Sequence, residues 1–144
     1  EFFKGKTKEE AHREFFEETL KCVKAFDCFN VLGHLDYIVR YGPYQDKTVD
    51  HAKYQDIIDE IFKTLIKKGK GIEVNTSGYK DLKICGFPNY EQVQRYYDLG
   101  GRIITIGTDS HTSDRVGENC LTVAKKYQEI GFEDVSTFTG RVKD

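Results

Sequence analysis

Methionine is absent from the 144 residues, and the chain opens Glu-Phe-Phe-Lys with neither an initiator residue nor a secretory leader. The expectation is a piece of a longer protein. Long apolar runs are missing as well. Short ones such as Ile57-Ile58 and Ile103-Ile104 fall far below the roughly 20 residues a membrane span requires, so no membrane partner is expected. Neither sign of charge dominates: 22 Lys and Arg stand against 24 Asp and Glu, a formal net charge of -2. Such a balance generates no field that would favour nucleic acid, and a small molecule is the expected partner. The four cysteines, Cys22, Cys28, Cys85 and Cys120, form no CxxC spacing. This argues against a zinc ribbon or a disulfide framework and for reduced thiols in a cytoplasmic protein. What is present, 38% hydrophobic residues over this length, suffices for one ordinary core and no more.

Helical and extended patterns alternate along the chain. Thr7-Lys8-Glu9-Glu10 fits a capping box, and Phe16, Leu20 and Val23 continue from it as an apolar stripe to about Phe26. Phe29 to Gly33 reads as a short strand running into the polar Gly33-His34-Leu35-Asp36. Tyr54, Ile57, Ile58, Ile61 and Leu65 mark a second helix, stopped by Gly69 and Gly71 and followed by the strand Ile72 to Asn75. Asn89 can cap a third helix carrying Val93, Tyr96 and Tyr97, and Ile103 to Gly107 is the most apolar strand. A last helix is expected to place Val116, Cys120, Val123 and Tyr127 on one face and to end near Gly131, with a marginal strand at Val135 to Phe138. Residues 37–50 and 76–88 read as long loops. Strands alternating with helices call for parallel pairing, so the fold class is α/β. Polar residues recur at strand exits without a Gly-rich phosphate loop, which favours barrel-type architecture over an open sheet. Three or four strands cannot close a barrel, so raw edges would need a second copy, a swap or another chain to cover them.

Three strand exits each carry a polar pair two residues apart: His34 with Asp36, Glu73 with Asn75, and Asp109 with His111. Extended backbone alternates its side chains with period two, so each pair would project to one side and all three could converge on one pocket. His and carboxylate groups are ligands of zinc, manganese and iron, and a phosphate ester is the substrate most helped by such ions. Taken singly, each pair fits a hydrogen-bonded or solvated pair as well. His12 and His51 fall on polar helix faces and read as solvated.

At these residues the chain resembles the polymerase-and-histidinol-phosphatase (PHP) family of metal-dependent phosphoesterases. The likeness rests on Gly33-His34-Leu35-Asp36-Tyr37-Ile38-Val39-Arg40-Tyr41, Glu73-Val74-Asn75-Thr76-Ser77-Gly78 and Gly107-Thr108-Asp109-Ser110-His111, in order and at similar spacings. The middle segment points to the histidinol-phosphate phosphatase branch. The resemblance implies a distorted (β/α)7 barrel, of which residues 1–144 would be the C-terminal part. It also implies a cluster of divalent metals (Zn, Mn or Fe) hydrolysing a phosphomonoester. His34, Asp109 and His111 would be the catalytic metal ligands, Asp36 would orient a ligand, and Glu73 and Asn75 would line the pocket. Arg40, Ser77 and Lys80 are the candidates for gripping phosphate, since guanidinium and ammonium groups make charge-assisted hydrogen bonds to its oxygens. Lys80 stands where relatives often carry Arg.

The family's His-x-His motif and its next acidic and His ligands are not in this sequence and would lie upstream of Glu1. The chain alone is therefore expected to bind one metal weakly or none and to hydrolyse little. Two other readings stay open: a phosphoesterase of the same family with a different substrate, and a non-catalytic half-barrel that works by pairing with another subunit.

Overall fold

A computed structural model describes residues 1–82 and 85–144, the side chains of residues 81 and 82 excepted. The capping box forms as expected: the Thr7 hydroxyl accepts from the Glu10 N–H and the Glu10 carboxylate accepts from the Thr7 N–H at 2.8 Å, starting helix α1 (Lys8–Ala25). Phe16 and Val23 on its apolar stripe are buried against α3 (Gln55–Lys67), whose Ile57, Ile58, Ile61, Phe62 and Leu65 form the centre of the core. Burying side chains of that size contributes about 1.5 to 3 kcal/mol each before the entropy of ordering is subtracted.

The core lies between this helical layer and a parallel sheet of three strands, β1 (Val31–Leu32), β2 (Gly71–Asn75) and β3 (Ile104–Gly107), in the order β1-β2-β3. Ile72 of β2 pairs with Leu32 and with Ile104, and Asn75 pairs with Gly107, so all three strands run in one direction and end on one side. Mixed α/β structure with parallel strands is thus established. Asn89 caps α5 (Tyr90–Asp98) by accepting from the Gln92 N–H at 3.0 Å. The last helix, α6 (Cys120–Ile130), buries Val123 and Tyr127 and stops at Gly131, which takes a φ of 121°.

Four local expectations are corrected. The stretch 37–50 contains a one-turn helix, α2 (Ile38–Tyr41), because Ile38 and Val39 pack with Phe87 in a second small core. Within 76–88, α4 (Gly78–Leu82) interrupts the expected loop, while residues 83 and 84 of that stretch lie outside the described residues. Val116 precedes α6 and is 74% exposed rather than on its buried face. The marginal strand falls later than expected, as a hairpin of β4 (Phe138–Thr139) and β5 (Val142–Lys143), while the Ser136 N–H donates to the Ile104 carbonyl at the rim of β3. Among the described residues no helix is long and apolar enough to cross a membrane.

Candidate active site at the strand ends

Glu73 sits on the middle strand, and its carboxylate lies between glycines of the two neighbours. A methyl group placed on Gly107 of β3 would overlap Glu73 Oε1, and one placed on Gly33, just beyond β1, would lie 3.2 Å from Oε2. The same Oε2 accepts the His34 N–H at 3.2 Å. The glycines that open the first and third motifs thus make room for one carboxylate, which ties the exits of all three strands together.

Beyond those glycines the backbone turns sharply. His34 and Asp109 take φ values of 34° and 48°, left-handed conformations that cost a residue with a side chain on the order of 1 kcal/mol or more. The His34 ring leaves the turn on the side of Tyr37, with ring centroids 4.3 Å apart. The Tyr37 hydroxyl accepts from Arg40 Nη1 at 2.8 Å, and the guanidinium stacks over the Tyr37 ring at 4.6 Å. Arg40 Nη2 donates to Ser77 Oγ at 2.9 Å, and Nη1 also approaches Asp109 Oδ2 at 3.4 Å. Ser77 is fixed in turn by Asn75, whose Oδ1 accepts the Ser77 N–H at 3.0 Å as well as its hydroxyl. On the far side, His111 Nε2 stands 3.6 Å from Asp109 Oδ1 and is 88% exposed. One guanidinium therefore links residues from all three strand exits.

Not every sequence-based candidate joins this network. Asp36 was paired with His34 on the grounds of extended geometry, but β1 ends at Leu32 and residues 34–37 form a turn closed by the Tyr37 N–H on the His34 carbonyl at 2.9 Å. The two side chains diverge. Asp36 is buried and accepts His51 Nε2 at 2.9 and 3.0 Å and the Asn89 N–H at 3.3 Å, so the imidazole it orients is that of His51. Lys80 is exposed on α4.

The expectation of solvated His12 and His51 is overturned. The His51 side chain is 10% exposed, and His12 is 1% exposed against Tyr44 and Tyr54 with its Nδ1 unpartnered among the described residues. Burial, with help from Lys8, pushes His12 down to about 4, so it is neutral through the physiological range. His51, Tyr37 and Asn89 are thus structural members of the site that residue patterns did not single out. Their partners lie three to 53 residues away in sequence, and no periodicity signals such pairs.

Chemically, the cleft offers imidazole and carboxylate donors suited to zinc, manganese or iron. Among the described residues, however, no three His, Cys, Asp or Glu side chains are gathered closely enough to hold an ion. Asp109 and His111 form a donor pair, where zinc commonly takes four ligands. The candidate for contact with an anion is Arg40, a half-buried guanidinium aligned by Tyr37 and Ser77, a planar group of the kind that matches phosphate oxygens.

The sequence pattern of the PHP domain matches residues 1–77, more than half of the chain, and the chain belongs to that family. It is 39% identical over 140 residues to a histidinol-phosphatase of Lactococcus lactis subsp. lactis, an alignment covering 97% of this chain and 52% of the relative. A probable histidinol-phosphatase of Thermotoga maritima is 36% identical over 126 residues, 87% of this chain and 51% of that protein. The crystal structure of histidinol phosphate phosphatase from Lactococcus lactis, complexed with zinc, L-histidinol and phosphate, superposes with a TM-score of 0.91 at 39% identity. It covers 100% of this chain and 54% of that one. The chain spans about half the length of the curated relatives it matches.

Proposed function

We propose that residues 1–144 form the C-terminal part of a distorted (β/α)7 barrel that hydrolyses a phosphomonoester, with L-histidinol phosphate as substrate. The observation that carries this reading is the bridge made by Arg40, which brings Ser77 and Asp109 to one place from two different strand exits. The complex of the solved relative with L-histidinol and phosphate, the two products of such a hydrolysis, supports the substrate. Among the described residues the outer edges of β1 and β3 pair with no further strand, which suits continuation of a barrel on either side.

In this reading Arg40 holds the non-bridging oxygens, the Ser77 hydroxyl joins it by turning its proton from Asn75 to the phosphate, and Lys80 supplies a point charge from α4. Before phosphate binds, Asn75 Oδ1 takes the Ser77 proton and leaves the Ser77 oxygen as the acceptor that aligns the guanidinium. Glu73 lines the floor and keeps anions from settling there. His34, Asp109 and His111 are the donors assigned to divalent metal, completed by ligands from the rest of the barrel. Such an ion, when bound, neutralises phosphoryl oxygens and lowers the pKa of a water so that it can attack phosphorus. The P–O bond to the alcohol then breaks, giving histidinol and phosphate.

A chimaera tests the proposal: residues 1–144 replace the matched region of the Lactococcus lactis enzyme, and phosphate release from L-histidinol phosphate is followed with and without Zn²⁺ or Mn²⁺. Metal-dependent hydrolysis is expected. A folded chimaera that spares this ester but cleaves other phosphomonoesters would overturn the substrate, and one that cleaves none would favour the non-catalytic module.

A further inference from the structure

We propose that His51 is a positioning residue for this same site, an assignment that rests on the phosphoesterase reading only for its effect on turnover. The turn at residues 34–37 starts from a histidine in a left-handed conformation, so something outside the turn must hold it. Its one buried polar side chain is Asp36, at 3% exposure. Both carboxylate oxygens of Asp36 accept from His51 Nε2, and Oδ2 also accepts the Asn89 N–H.

The two donors are themselves fixed. His51 begins a short 3-10 turn (His51–Lys53), and its carbonyl accepts the Tyr54 N–H at 2.9 Å. Tyr54 leads straight into the core helix α3 and is itself 3% exposed. Asn89 is the cap of α5. Asp36 therefore fastens the turn to the starts of two packed helices.

The consequence reaches the cleft through the next residue. Tyr37 stacks on the His34 ring and accepts from Arg40, so the azimuth of the turn sets an imidazole and a guanidinium together. Losing the His51 donor would leave a buried carboxylate short of a partner, and the turn could relax toward ordinary backbone angles. Partners that orient site residues from behind commonly change activity 10- to 100-fold when removed. His51 acts through Asp36, one contact behind the turn.

The test pairs His51→Leu, which keeps the volume and removes the donor, with His51→Gln, whose amide can still donate. A cavity of about 160 Å³ adjoins His51 and Asp36, leaving room for either side chain. In the purified chain, NMR follows the ring protons of His34, shifted upfield by the Tyr37 ring. His51→Leu is expected to lose that shift and His51→Gln to retain it.

In the chimaera, His51→Leu lowers kcat about 10-fold or more, and His51→Gln stays within about threefold of the parent. Asp36→Asn, which keeps shape and removes one acceptor, gives a second route and is expected to weaken the His34 shift even if the leucine variant fails to fold. An unchanged His34 shift in folded His51→Leu, or in Asp36→Asn, overturns the assignment. A chimaera with no hydrolysis in any form, alongside the expected NMR response, defeats the phosphatase reading and leaves the positioning role standing.

Discussion

The exits of β1 and β3 carry mirror-image motifs, His-Leu-Asp and Asp-Ser-His, yet they are built in opposite ways. At the β1 exit the carboxylate is buried and joined to His51 and Asn89, while the imidazole packs on Tyr37. At the β3 exit the carboxylate is partly exposed, with Arg40 on one oxygen and His111 near the other, and that imidazole is almost fully solvated. A motif of two polar residues separated by one thus has no fixed structural meaning. Where the second core and two helix starts lie behind it, it becomes a fastener. Where solvent lies in front, it stays a partly exposed pair with Arg40 at one oxygen.

Four measurements would break or sharpen this contrast. The largest effect belongs to the open exit: in the chimaera, Asp109→Ala is expected to cut phosphate release by a factor of about 100 or more, because the divalent ion proposed for the site loses one of its donors. The same change should also weaken zinc binding, read by titration calorimetry. Unchanged turnover and affinity would remove Asp109 from the site.

Stability should show the reverse asymmetry. Asp36→Ala leaves two buried donors without an acceptor and is expected to cost about 3 kcal/mol in urea unfolding, whereas His111→Ala should stay within about 0.5 kcal/mol. Equal losses would contradict the division between fastener and open pair.

Acid stability probes the buried side. His12 is neutral when folded and has a pKa near 4, against 6.5 in the unfolded chain, so the unfolded state takes the proton first as pH falls. Its contribution is intact above pH 6.5 and declines between there and about 4, by on the order of 3 kcal/mol in total. Lys8, Asp36, Asp46 and His51 face it electrostatically. His12→Leu should flatten that part of the acid limb, and a limb of unchanged slope would show that His12 is not the group responsible.

The smallest effect tests the shared floor. Gly107→Ala is expected to destabilise by about 1 to 2 kcal/mol because Glu73 must swing aside. In a Glu73→Ala background the same change should be nearly neutral, and purely additive losses would mean the two do not touch.

Much of this architecture was legible because it is local. Thr7 and Asn89 announce helix starts through side chains that bond three residues on, and the apolar stripe of α3 announces its buried face. The three strands were placed by short apolar runs, ending in Gly33 and Gly107 at β1 and β3 and in Asn75 at β2. The misses share a cause. His12 and His51 were assigned to water because nothing nearby in sequence reveals that Tyr44 covers the one or that Asp36 holds the other. α2 was read as loop because one turn is too short for a period, and its burial depends on Phe87, 48 residues beyond Val39. The divergence of His34 and Asp36 escaped the rule of alternation because that rule holds only within a strand, and β1 is already over.

Glu73 also acts as a length gauge. The spacing of the strands is set by their hydrogen bonds, so how far negative charge protrudes at the mouth depends on the reach of this one side chain. Aspartate there would retract the charge by roughly 1.5 Å, one carbon–carbon bond. It would vacate the niche between Gly33 and Gly107, and the His34 amide would then have to find its acceptor in water.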